Sequence, residues 1–142
     1  MAVPSPEPGL VINYAYLWHY EHRAGQEEGR KDRPTVIVLC VEGSKKGETI
    51  VTVLPITHQK PIDPKTAVEL PLAVKRHLGL DAEPSWVVVA EGNEFAWPGY
   101  DLRRRPSGGF EFGFLPPRLF NRIRNTFVAL HRAGRARKTS RD

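Results

Sequence analysis

Two runs in this chain carry side chains that could hold a phosphate. Arg33 opens Arg33-Pro34-Thr35-Val36-Ile37-Val38-Leu39, and Thr57 lies near the end of Thr52-Val53-Leu54-Pro55-Ile56-Thr57-His58. A guanidinium is a planar fork of donors that matches two phosphate oxygens and keeps its charge throughout the physiological range. A threonine hydroxyl beside it could donate to the same phosphate and fix its orientation. The stretch Glu42-Gly43-Ser44-Lys45-Lys46-Gly47-Glu48 between the runs reads as a turn. An antiparallel hairpin centred on Lys45 pairs Val41 with Thr49, Thr35 with Pro55 and Arg33 with Thr57. Directly opposed residues share a face of the sheet, with Cβ atoms roughly 4.5–5.5 Å apart. Pro55 cannot donate to a ladder, so a bulge or an edge is expected there, and a bulge would shift the register by one residue.

The chemistry such a pair suits is phosphodiester cleavage in RNA, which supplies its own nucleophile in the 2′-hydroxyl. The protein then has to position the strand, stabilise charge and move protons. Arg33 could stabilise charge growing at phosphorus, but arginine is a poor general base because its pKa lies so high. Proton transfer falls to His58, His19, His22 or Glu21, or to an arginine in an unusual environment. In a regular strand His58 points away from Thr57, and a turn starting at Thr57 removes that conflict. From composition and spacing alone, the reading of Arg33 as a structural ion-pair partner and Thr57 as a strand-end residue is favoured. Other chemistries have less support. His19 and His22 flank Glu21, but a third ligand such as His58 has no recognised zinc spacing to them, so no metal is expected. No Gly-x-Ser-x-Gly elbow occurs, and Gly43-Ser44-Lys45-Lys46-Gly47 opens no helix, so it is no nucleotide-binding loop.

The elements that must position these groups fit one domain of 142 residues with 40% hydrophobic content. Cys40 is the single cysteine and lies in an apolar run, which excludes a disulfide framework within the chain. No run approaches the roughly 20 apolar residues of a membrane span, and the Pro-rich start is no signal peptide; a cytoplasmic protein without membrane contact is expected. The net charge of +5 suits a polyanionic partner. The cations gather at Arg30 to Arg33, Arg103 to Arg105, and from Arg118 onward.

Residues 1–8 read as a flexible leader, 9–134 as the folded domain and 135–142 as a disordered basic tail. Gly9 to Tyr16 suits a first strand. Trp18 to Asp32, charged and bearing Gly25 and Gly29, reads as an exposed, mobile loop long enough to be functional. Thr35 to Val41 is apolar throughout, as in a strand buried on both faces, and Thr49 to Ile56 is its partner. Ala67 to Leu70, Trp86 to Ala90, and Phe95 with Trp97 suit further short strands. Pro71 to Leu78 reads as a short helix begun by Pro71 and stopped by Gly79, and Arg103 to Gly113 as a loop or hairpin arm. A last helix from Pro117 to Ala133 gathers Leu119, Phe120, Ile123, Phe127 and Leu130 into one stripe. The class is α+β: a small barrel or curled sheet of about five strands with a short helix and a C-terminal helix. Tyr14, Tyr16, Trp18 and Tyr20 alternate near the end of the first strand, where aromatic rings could stack single-stranded bases or simply pack on neighbouring strands.

Four segments together resemble the MazF/PemK family, the ribosome-independent mRNA-cleaving toxins of type II toxin–antitoxin modules. They are Gly9 to Trp18, Arg33-Pro34-Thr35-Val36-Ile37-Val38-Leu39, Val53-Leu54-Pro55-Ile56-Thr57, and Trp86 to Glu91. The resemblance implies an SH3-like barrel and a homodimer with single-stranded RNA along its interface. It also implies a catalytic pair at Arg33 and Thr57, no metal or cofactor, and a 2′,3′-cyclic phosphate product. The loop from Trp18 to Asp32 would flank the RNA groove, with Trp18, Tyr20, Arg30, Lys31 and Pro34 as RNA contacts. The C-terminal segment of a cognate antitoxin would fill the same groove as an inhibitor. The chain departs from the family at Gly9-Leu10, where Gly-Asp is frequent, and at Gly92-Asn93-Glu94-Phe95-Ala96-Trp97, where a Gln-x-Arg-like pattern is common. The alternative is a catalytically inert SH3-like module that binds nucleic acid or protein.

Overall fold

The structure, a computed structural model, describes residues 3–26, 29 and 31–141. Among them the class is α+β, as expected. The strands are β1 (Leu10–Tyr14), β2 (Arg33–Glu42), β3 (Thr49–Thr57), β4 (Ala67–Glu69), β5 (Trp86–Val88), β6 (Glu91–Ala96), β7 (Glu111–Phe114) and β8 (Arg137–Ser140). The helices are α1 (His19–Arg23), α2 (Leu72–Leu78) and α3 (Pro117–Arg132), with a 3₁₀ turn at Pro64–Thr66. The strand count corrects the expected five to eight. The mostly antiparallel sheet runs β4-β5-β3-β2-β1-β7 and does not close into a barrel. β3 is its fork: Ile50 to Val53 pair with β6, whereas Ile56 and Thr57 pair with β5. The additional strands are short, and three or four residues show too little alternation to be told from loop.

β2 alternates between two cores, as a doubly covered strand should. Val36 and Val38 join a cluster on one face with Leu54, Leu78, Val87, Phe120, Ile123 and Phe127. Ile37 joins Ile12, Tyr14, Val51, Val53 and Phe95 on the other. Burial of β2 ends before the expected Val41, which is 57% exposed. α3 covers the first cluster with Phe120, Ile123 and Phe127, while Leu119 and Leu130 are only partly buried. α2 starts at Leu72 with Pro71 as its N-cap, one residue later than expected. It ends on Gly79 at φ 73°, a left-handed position that a residue bearing Cβ adopts only with strain.

The β2–β3 register is as expected at its outer end and not at its turn. Thr35 pairs with Pro55, Val36 with Leu54 and Ile37 with Val53, but beyond the irregularity Leu39 pairs with Thr52, Val41 with Ile50 and Glu42 with Thr49. The bulge therefore lies at Val38 rather than at Pro55, and it absorbs a turn one residue out of step with the one expected.

Two segments are more ordered than expected. The stretch between β1 and β2 contains α1, started by a Glu21 carboxylate that accepts the Trp18 backbone N–H at 3.1 Å. Gly29 packs so close to the end of β1 that a Cβ there would fall 2.3 Å from the Tyr16 carbonyl oxygen. The tail is likewise not disordered: Arg137–Ser140 adds to β6 as a parallel strand. Arg141 then pairs with Asp101 at 2.7 Å and donates to the Ala15 carbonyl at 3.1 Å. Backbone pairing and a nearly buried ion pair hold a segment that has no apolar side chain of its own beyond Ala136. In the leader, the Pro4 carbonyl accepts the Trp97 indole N–H at 3.1 Å.

Candidate functional site

At the outer end of the β2–β3 hairpin lies a solvent-open cavity of about 470 Å³. Arg33 and Pro34 enter it from β2, Thr57 from the last position of β3, Trp18 and Tyr20 from the α1 segment, and Lys75 and Asp81 from the side of α2. The β2–β3 ladder ends at Thr35 and Pro55; beyond it Arg33 pairs with Tyr14 of β1 and Thr57 with Trp86 of β5, and both side chains line the cavity. β3 ends at Thr57, so the chain bends there, and His58 lines the same cavity instead of pointing to the far face.

Arg33 sits half-buried with its guanidinium 5.0 Å above the Trp18 ring. Its Nε is buried and has no hydrogen-bond partner among the described residues. Burial pushes the Arg33 guanidinium below its ordinary pKa, opposed chiefly by the nearby Glu21 carboxylate. An unpaired buried N–H on a cation is costly, and Arg33 also lines the open cavity, where an anion can meet its charge. Thr57 Oγ1 accepts the Gln59 backbone N–H at 3.2 Å, which leaves its hydroxyl proton available to a ligand.

Of the four proton-transfer candidates, His58 alone lines this cavity. Its Nε2 lies 2.9 Å from Asp81 Oδ2 and its Nδ1 lies 3.6 Å from Glu83 Oε2. Glu21 is buried, lines an adjoining pocket with Arg33, and takes up the Trp18 N–H and the Gln26 side chain, the latter at 3.4 Å. His19 is turned to the tail, with Nε2 2.8 Å from Arg137 Nη1. His22 is exposed and lies outside the lining of this cavity. Of the residues expected to touch RNA, Trp18, Tyr20, Lys31 and Pro34 line the cavity, and Arg30 lies outside the described residues.

Lys75, Asp81 and Ser85 also line the cavity and were not among the expected site residues. The Lys75 ammonium is 2% exposed; it donates to Asp81 Oδ1 at 2.7 Å, to Ser85 Oγ at 2.6 Å and to the Glu83 carbonyl. That hydrogen bond from Lys75 is the largest cause holding the Asp81 carboxyl below its usual range; His58 adds to it, and desolvation opposes it. The sequence signal for Lys75 was its place one helical step before Leu78 on the packed side of α2. His58, Asp81 and Glu83 bring possible ligand atoms within 4.8 Å of one another, a different trio from His19, His22 and His58. All three are exposed, and the Lys75 charge on Asp81 opposes a cation there.

Tyr16 lines the adjoining pocket, its hydroxyl donating to Glu91 Oε1 at 2.9 Å. Burial, then Glu91, pushes the Tyr16 hydroxyl well above its ordinary pKa, so it remains protonated. Comparison of the chain with protein-family models, with curated proteins and with solved structures returns no match.

Proposed function

We propose that the chain is a metal-independent endoribonuclease that cuts single-stranded RNA at the Arg33–Thr57 cavity, leaving a 2′,3′-cyclic phosphate and a 5′-hydroxyl. The observation that carries the reading is the convergence, in one open cavity, of the Thr57 hydroxyl and a guanidinium whose Nε is buried without a partner among the described residues. Arg33 and Thr57 grip the non-bridging oxygens of the scissile phosphate, and Arg33 stabilises the charge that grows there as the 2′-oxygen attacks phosphorus. One proton leaves the 2′-hydroxyl and one reaches the departing 5′-oxygen. His58 is assigned a proton transfer, with Asp81 orienting its imidazole and Lys75 holding Asp81. Trp18 and Tyr20, the latter 63% exposed, offer faces for bases on either side of the bond.

The reading brings with it an SH3-like architecture, a homodimer with RNA along its interface, a cytoplasmic setting, and a cognate antitoxin as inhibitor in a toxin–antitoxin module. The fork of β3 between β5 and β6 is the curl that supports the architecture. In a cleavage assay, Arg33→Ala and Thr57→Ala are each expected to abolish cutting while the protein stays folded, and EDTA is expected to change nothing. Cutting that persists in both variants overturns the mechanism. One observation favours the inert binding module instead: both ring nitrogens of His58 already face carboxylates. Wild-type protein that binds RNA, never cuts it and does not slow growth would select that reading.

A further inference from the structure

We propose that the segment from Tyr100 to Phe112 is a second contact surface for single-stranded RNA. It would carry the strand on from the Arg33–Thr57 cavity by stacking a base on Tyr100 and binding phosphates at Arg103 and Arg104. The identity of the polymer rests on the endoribonuclease reading; the contact surface itself needs no chemistry at the cavity.

Position is the first argument. Tyr14 of β1 pairs with Arg33 on one side and bridges to Leu102 on the other, so Leu102 lies two strand spacings, roughly 10 Å, from Arg33. Arg103 follows directly, its Nε 3.7 Å from an Asp32 carboxylate that itself lines the cavity. The segment thus begins at the cavity rim.

Preorganisation is the second. The Arg104 guanidinium lies 5.4 Å over the Phe110 ring and that of Arg105 lies 4.2 Å over Phe112. Arg105 also donates to the Glu111 carbonyl at 2.8 Å, and its backbone N–H closes the turn onto Gly109 at 2.8 Å. Guanidinium groups already resting on rings lose less freedom when a phosphate arrives. Arg103 donates to the Tyr100 carbonyl, which ties the cation to the aromatic residue.

The third argument is the chemistry left open to solvent. Tyr100 is 94% exposed and is the one large hydrophobic side chain so exposed in the segment. A lone ring among cations suits base stacking, which tolerates any sequence, and is too little apolar area for a protein interface. Among the described residues the nearby acids have local partners: Asp101 pairs with Arg141, Asp32 lies 3.7 Å from Arg103 Nε, and Glu111 accepts the Phe110 N–H at 3.3 Å.

The test is equilibrium binding of uncleavable 2′-deoxy strands of about 4 and about 12 nucleotides, lengths that bracket one small site. The wild type is expected to bind the longer strand at least about tenfold more tightly, and Tyr100→Ala to lose about tenfold on that strand and nothing on the shorter one. The double variant Arg103→Ala, Arg104→Ala is expected to flatten the salt dependence by about 0.7 per lost phosphate contact. Equal binding of the long strand by variants and wild type, or a wild type indifferent to length, overturns the inference even where RNA is still cut. Variants that lose the length-dependent gain shown by a wild type that cuts nothing leave the surface standing and remove only the nuclease.

Discussion

Two arginines near the end of the first strand show what burial does to a guanidinium under different partnerships. Arg141, whose side chain is 4% exposed, pairs with Asp101 at 2.7 Å and reaches the Ala15 carbonyl and Asn93 Oδ1. Arg33 is half-buried, faces an open cavity, and carries a buried Nε without a partner among the described residues. The first arginine is part of how the tail is held, because its donors meet protein acceptors. The second has its charge partly lifted out of water over Trp18, with its Nε unmet among the described residues, an arrangement that costs stability and favours an incoming anion at the open side. Lys75 resembles Arg141 in this respect, being buried with its ammonium shared among three acceptors. A buried cation therefore reads as structural where its donors are met, and as a ligand site where they are not.

The contrast is broken most directly by removing each charge. Arg33→Met keeps the bulk of the side chain and is expected to lower RNA cleavage by about 100- to 1,000-fold. Because burial depresses the folded-state pKa of Arg33, its charged form is disfavoured in the fold, and the same variant is expected to gain up to about 1 kcal/mol in urea unfolding. A variant that loses both activity and stability would make Arg33 a structural residue like Arg141. Arg141→Met should do the reverse, costing about 3 kcal/mol in the same measurement because Asp101 loses its guanidinium, while folded protein keeps its cleavage rate.

Lys75→Met tests the intermediate case. Asp81 is half-exposed and water can replace part of what it loses, so a cost of about 1–2 kcal/mol is expected, with cleavage falling several-fold as Asp81 no longer holds His58. The smallest effect concerns pH. The Asp81 carboxyl is depressed in the folded protein, so its contribution is present above the unfolded pKa of about 3.9 and is lost as pH falls through the lower folded value. Acid titration of stability should show this slight loss in wild type and not in Lys75→Met; identical acid limbs would mean that the Lys75–Asp81 bond carries no stability.

The hairpin shows how far local signals reach. Apolar β-branched runs, a glycine-bearing turn and Pro55 were enough to set Thr35 against Pro55 at the end of the hairpin from which Arg33 and Thr57 enter one cavity, yet the expected pairing of Val41 with Thr49 is displaced by a bulge at Val38. A bulge inside a run of valines and isoleucines leaves no mark in composition, because the extra residue is as apolar as its neighbours. α3 was legible because its periodic stripe is long, and α2 because Gly79 ends it. β8 was not, since its order comes from β6 and from Asp101, about forty residues upstream in the chain. Lys75 was hidden for a related reason: its acceptors lie beyond the helix that carries it, and only the path from Asp81 to Ser85 brings them to the ammonium.

Taken alone, the order of residues determined the class of fold, the hairpin that carries Arg33 and Thr57, and the two longer helices, because each depends on periodicity and turn chemistry within a few dozen residues. The folded arrangement decided which cations are satisfied. Whether a guanidinium meets a carboxylate or an open cavity depends on groups brought together from distant segments, and no local pattern encodes that meeting.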